Sequence, residues 1–214
     1  MAEVLVFTTP PAFAVVLAAL AVRMHGQLID FRGRTASTAR MDPATGLLNR
    51  RAFEELLEIE LRRTQAGGRA LSVVLGNVEG LSALEEAHGH TAGAAVLNGV
   101  AKDLVKWKRR SDHAAHLGDG VIALLLPETD EGGALILAER LRRAAELTFV
   151  DLPGPLSISF GVASHPWHGT DAATLMGASE RAMAAARALG GARPLIYGPE
   201  VARMRLMQDR VPVT

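Results

Sequence analysis

The chain has 214 residues, and 23 Lys plus Arg balance 23 Asp plus Glu, so the formal net charge is zero. That length suits one domain with a sizeable core plus an appendage rather than two full domains. The balanced charge gives no electrostatic basis for general nucleic-acid binding, and the absence of cysteine excludes disulfides, thiolate metal sites and cysteine nucleophiles.

The first forty residues differ from the rest. From Val4 to Val22, VLVFTTPPAFAVVLAALAV, nothing is charged, and the stretch approaches the ~20 apolar residues of a membrane-crossing helix. Pro10 and Pro11 suit a first helical turn. Residues 1–23 are therefore expected to form a transmembrane helix. Arg23, Arg32, Arg34 and Arg40 follow the apolar run and nothing basic precedes it. The positive-inside bias then predicts a single pass through the inner membrane, with the remaining chain in the cytoplasm. An apolar helix buried against a partner protein or a dimer mate is the alternative. Residues 24–41 read as a helical linker interrupted near Gly33.

From Asp42 onward, helix-like and strand-like segments alternate. Ala52 to Thr64 places Phe53, Leu56, Leu57 and Leu61 on one helical face. Leu71 to Val78 is a β-rich apolar run that reads as a buried strand. Leu81 to Ala87 is a short helix and Ala92 to Lys108 a longer one. His113 to Pro127 holds two short strands around Gly-Asp-Gly, with Asp119-Gly120 as a hairpin signal. Gly132 to Leu147 is an amphipathic helix, Leu156 to Ala163 alternates like a strand, Ala172 to Ala188 is an alanine-rich helix, and Pro194 to Tyr197 is a final edge strand. This order indicates an α/β domain around a mixed or antiparallel sheet.

The segment DPATGLLNRRAF, Asp42 to Phe53, resembles the D-x-L-T-G-L-x-N-R-R-x-F signature that opens GGDEF domains, the diguanylate cyclase family, and departs from it mainly at Ala44. Three landmarks follow in the family's order: Gly89-His90 with Gly93, the hairpin segment HLGDGVIALLLPETD, and SISFGVASHP from Ser157 to Pro166. The resemblance implies an α+β sandwich of nucleotidyl-cyclase type, a five-stranded central sheet wrapped by helices over residues 42–198. Residues 199–214 remain as a C-terminal tail.

The family joins two GTP molecules into cyclic di-GMP across a pair of domains, using divalent metals to hold the triphosphate. Magnesium wants anionic oxygen ligands, and here the matching positions have changed. The carboxylate of the first strand is Asn77. In the hairpin the second glycine has become Asp119, the acid has become Gly120, and the catalytic glutamate has become Val121. Glu79 would share a face with position 77 if the strand continued. The guanine-reading pair aligns with Glu85 and Ala94, and the phosphate-binding lysine with Ala186. Arg187 lies roughly 100° further around the helix. The resemblance thus implies a degenerate member that is no longer an enzyme, with no cofactor and no held metal.

Many members of the family also bind their product at an R-x-x-D five residues before the hairpin motif. Arg109-Arg110-Ser111-Asp112 keeps that spacing, and Arg140 matches a further family arginine, while His116 stands where the family has an arginine just before the hairpin. An arginine fork binds a guanine edge or a phosphate, and the aspartate accepts from guanine N–H groups. The alternative is a solvated basic helix end, Lys106 to Arg110, with Asp112 as a cap. His88/His90 and His165/His168 are spaced like metal ligands, but they read as structural.

The expectation is therefore a catalytically inactive GGDEF domain, tethered to the membrane through residues 4–22, that binds cyclic di-GMP through Arg109, Asp112 and Arg140. Binding would regulate a protein partner or the domain's own dimer mate. A docking subunit of a membrane complex that binds no nucleotide is the alternative. An active diguanylate cyclase is the third reading.

Overall fold

The chain enters its domain through a tight turn at Asp42 in the computed structural model, which describes residues 40–150 and 155–202. Asp42 Oδ1 accepts from the backbone N–H and the hydroxyl of Thr45 at 2.9 and 2.6 Å. Gly46 follows at φ +68°, a conformation a side chain would oppose. The turn delivers strand β1 (Leu48–Asn49). Asn49 then caps helix α1 (Arg50–Gly67), its side chain accepting from the Ala52 N–H at 2.9 Å.

The remaining elements are β2 (Leu71–Glu79), α2 (Leu81–His88), α3 (His90–Trp107), β3 (His113–Gly118), β4 (Val121–Pro127), α4 (Glu131–Phe149), β5 (Ser157–His165), α5 (Ala172–Ala188) and β6 (Leu195–Ile196). They form one sheet in the order β1-β3-β4-β2-β5-β6. The β1–β3 and β5–β6 pairs are parallel and the other three antiparallel. The sheet has six strands rather than the expected five. The added strand is β1: the Asp42 turn lays Leu48 and Asn49 against Ala115 and His116. Backbone groups at the edge of β3 find partners there, a pairing that a two-residue segment does not announce by periodicity.

Side-chain alternation along the strands divides the interior in two. Val74, Val78, Ile122, Leu124, Phe160 and Val162 face α2, α3 and α4 in one core. Val73, Leu75, Ala115, Leu117, Leu125 and Ala163 face α1 and α5 in the other. β2 is paired on both edges and packed on both faces, which is why its sequence is a continuous apolar run. At Gly161 in β5 the helix backbone comes so close that a Cβ would lie 2.1 Å from Met183 N and 2.3 Å from Ser179 O. Glycine there lets α5 sit directly on the sheet.

Among the described residues no helix is long and apolar enough to cross a membrane, and the inner-membrane location expected from the sequence is corrected on that finding. Residues 4–22, the apolar N-terminal helix expected over 1–23 and most of the 24–41 linker lie outside the described residues, as do residues 203–214 of the tail.

Candidate functional site

Two clefts lie at opposite ends of β3.

The first lies beside the β3–β4 hairpin. Asp119 and Gly120 form its two-residue turn at φ +49° and +73°, the pattern of a type I′ turn, which favours Asp-Gly because both residues take positive φ. The adjoining cleft, about 590 Å³, is lined in part by Asn77, Glu79, Glu85, Asp119, Gly120 and Arg187. Glu79 does share this cleft with Asn77, and it accepts from the Ser159 hydroxyl. Val121 pairs with Asn77 across β2 and β4 and turns its side chain toward the α1/α5 core. The Glu85 carboxylate covers Gly93 so closely that a Cβ there would lie 2.1 Å from its Oε1. Ala186 is buried in the interior while Arg187 reaches the cleft, so the sequence alignment named the wrong member of that pair as the one facing it.

His116 also lines this cleft. Its Nδ1 lies 3.0 Å from Asp42 Oδ1, and its Nε2 is buried without a hydrogen-bond partner. Burial raises the Asp42 pKa, but donation from Thr45 and the neighbouring imidazole outweigh it and hold the carboxyl below its ordinary range.

The carboxylates that line the hairpin cleft are Glu79, Glu85 and Asp119. Asn77 brings no charge, Gly120 and Val121 bring no side-chain oxygen, and one Glu79 oxygen is taken by Ser159. Among the described residues no three His, Asp or Glu side chains are grouped so as to hold a metal ion.

The second cleft begins where α3 ends. The Arg109 N–H donates to Asp112 Oδ2 at 2.7 Å, the Asp112 N–H donates back to the Arg109 carbonyl at 3.1 Å, and the Ser111 hydroxyl donates to Asp112 Oδ1 at 3.3 Å. These bonds close a tight loop over a carboxylate that is only 3% exposed. A cleft of about 290 Å³ opens beside it, lined in part by Trp107, Arg109, Asp112, Ile136, Leu137 and Arg140. The three residues expected from the sequence are thus brought together, although Arg140 comes from a different element.

The charges of α4 are sorted by partner. Arg142 and Arg143 both bond to Glu139, at 2.8 Å each, and Arg142 also reaches Glu146. Hydrogen bonds from Arg142, opposed by partial burial and reinforced by Arg143, pull the Glu139 pKa down to about 2. Arg140 stands between these residues and has no ion-pair partner among the described residues, nor has Arg109. Both guanidinium groups therefore remain available to a ligand. Trp107 escaped the sequence reading, although a tryptophan two residues before Arg109, between Lys106 and Lys108, was the signal that could have exposed it.

A mixed sheet with helices on both faces and a central hairpin between two clefts defines a nucleotidyl-cyclase-like α/β domain. The chain belongs to the GGDEF family: the family profile "Diguanylate cyclase, GGDEF domain" matches residues 39–193. It is 36% identical over 150 residues to the diguanylate cyclase DgcP of Pseudomonas aeruginosa, covering 69% of this chain and 22% of that protein. It is 34% identical over 128 residues to diguanylate cyclase DgcM of Escherichia coli K12, covering 59% of this chain and 31% of DgcM. The chain thus spans less than a third of these curated relatives. The isolated GGDEF domain of Pseudomonas aeruginosa TpbB (YfiN) superposes with a TM-score of 0.66 at 26% identity, covering 78% of this chain and 99% of that domain. The GGDEF domain of Caulobacter crescentus DgcB, solved in complex with c-di-GMP, gives 0.67 at 20% identity, covering 74% of this chain and 93% of that one, a likeness of fold.

Proposed function

We propose that this chain is a GGDEF domain that does not synthesise cyclic di-GMP but binds it, and that binding regulates a protein partner or the pairing of two copies. The observation that carries this reading is the convergence of Arg109, Asp112 and Arg140 on one cleft. Two unpaired guanidinium groups suit the guanine O6/N7 edge or a phosphate, and the unused lone pairs of Asp112 suit guanine N–H donors. The GGDEF domain is taken to span residues 42–198.

The hairpin cleft supports the loss of synthesis. A GTP triphosphate entering it would meet Glu79, Glu85 and Asp119 against a single arginine, Arg187, without the carboxylate-held metals that offset such repulsion in phosphoryl transfer.

Calorimetric titration of the whole chain with cyclic di-GMP tests the binding. The expected result is saturable heat that disappears in the Arg109→Ala variant. Incubation with GTP and magnesium tests the chemistry, and release of pyrophosphate with formation of cyclic di-GMP would overturn the claim of inactivity. Absence of heat with the wild-type chain would leave a domain that acts by docking alone.

A further inference from the structure

A third cleft, of about 460 Å³, adjoins the Arg109–Asp112 cleft along the seam of α3 and α4 and is lined in part by Lys106, Trp107, Arg140, Arg143, Ala144 and Leu147. Trp107 and Arg140 line both clefts and form the ridge between them. Resting on the reading of the first cleft as a cyclic dinucleotide site, we infer that the seam holds the ligand astride this ridge. One guanine lies beside Arg109 and Asp112, the second lies in the α3/α4 cleft, Trp107 serves as the aromatic wall between them, and Arg140 faces the phosphates.

The third cleft has the chemistry a nucleobase and its phosphate require. Its walls include apolar surface left uncovered by the fold, with Trp107 41% and Leu147 77% exposed, and an aromatic side chain offers any base a stacking face. Its rim carries Lys106, Arg140 and Arg143. The one acid in the lining, Asp103, accepts from the Thr148 hydroxyl at 2.8 Å. The net positive rim suits an anionic diester. Arg140, unpaired while Arg142 and Arg143 are engaged by Glu139, occupies the point where the two halves of such a ligand join. The first cleft, about 290 Å³, and the third, about 460 Å³, share Trp107 and Arg140 in their linings, so a ligand with two bases can reach from one to the other.

The test compares cyclic di-GMP with guanosine monophosphate on the full chain, using wild type, Leu147→Glu, Trp107→Ala and Arg109→Ala. Leu147 is a surface side chain of the third cleft only, so the glutamate places an acid there without disturbing the first. Leu147→Glu is expected to weaken cyclic di-GMP by roughly tenfold or more and to leave the monophosphate unchanged. Trp107→Ala is expected to weaken both by roughly tenfold or more, the usual scale for removing a stacking aromatic. Cyclic di-GMP binding that Arg109→Ala abolishes but that neither Leu147→Glu nor Trp107→Ala alters would overturn this inference and leave the first cleft standing. So would a monophosphate that binds as tightly as the dinucleotide. Absence of any heat with the wild type would overturn both.

Discussion

The backbone N–H of Arg109 donates to Oδ2 of Asp112 at 2.7 Å, so the acid of the candidate site also closes the loop that carries its arginine. The two residues should therefore separate in mutation. Arg109→Ala removes a side chain without a partner among the described residues and should change stability by no more than about 0.5 kcal/mol while abolishing ligand heat. Asp112→Ala removes a buried acceptor of two bonds and should cost about 1–2 kcal/mol in addition to the loss of binding. Thermal melts run beside the titrations check both, and equal melting temperatures for the two variants would contradict the dual role of Asp112.

The contact between His116 and Asp42 joins the opening turn to β3. His116→Ala should destabilise the domain by about 1 kcal/mol, because it removes one partner of a bond that ties residues 74 positions apart. Urea denaturation measures this. A midpoint unchanged from wild type would mean that the Thr45 bonds alone hold the turn.

Acid should weaken the fold in a defined window. A carboxyl whose pKa is lower in the folded than in the unfolded state contributes stability above its unfolded pKa and loses it as the pH falls through the folded value. For Glu139 that window runs from 4.5 down to about 2, and Asp42, depressed from 3.8, acts in the same direction. Urea midpoints should therefore drop between pH 5 and pH 3. Glu139→Gln should flatten the drop and lower the midpoint at pH 5, where the wild-type carboxylate is ionised and bonded to Arg142 and Arg143. An unaltered acid slope in that variant would rule out Glu139 as the titrating group.

Gly161 is the least tolerant position of the sheet. Its absent Cβ is replaced by the backbone of α5, at Ser179 and Met183, and Ser179 in turn donates to the Val73 carbonyl at 3.2 Å. Gly161→Ala must lift the helix from the strands, at a cost of about 1–3 kcal/mol for overpacking, with partial exposure of Leu175 and Ala178. Gly132→Ala, which meets only the Asp130 carboxylate at 3.7 Å, is the control and should leave the denaturation midpoint near that of wild type.

Much of the domain could be read from residues a few positions apart. The apolar period of Ala52 to Thr64 marks α1, the continuous run of Leu71 to Val78 marks the doubly packed β2, and Asp119-Gly120 marks the I′ turn. Each is set by local backbone geometry and by alternation or helical spacing. The Arg109-to-Asp112 loop belongs to this class too, since its hydrogen bonds span three residues. What depended on packing was the meeting of distant side chains. The two-residue strand β1 exists only because β3 lies beside it, Asp42 finds His116 only after the sheet forms, and Arg187 rather than Ala186 reaches the hairpin cleft because α5 turns its alanine face onto β5. Trp107 and Arg140 become a ridge between two clefts only where α3 and α4 pack on the same face of the sheet. No spacing in the chain encodes that contact, because it is fixed by the volume of the core beneath it.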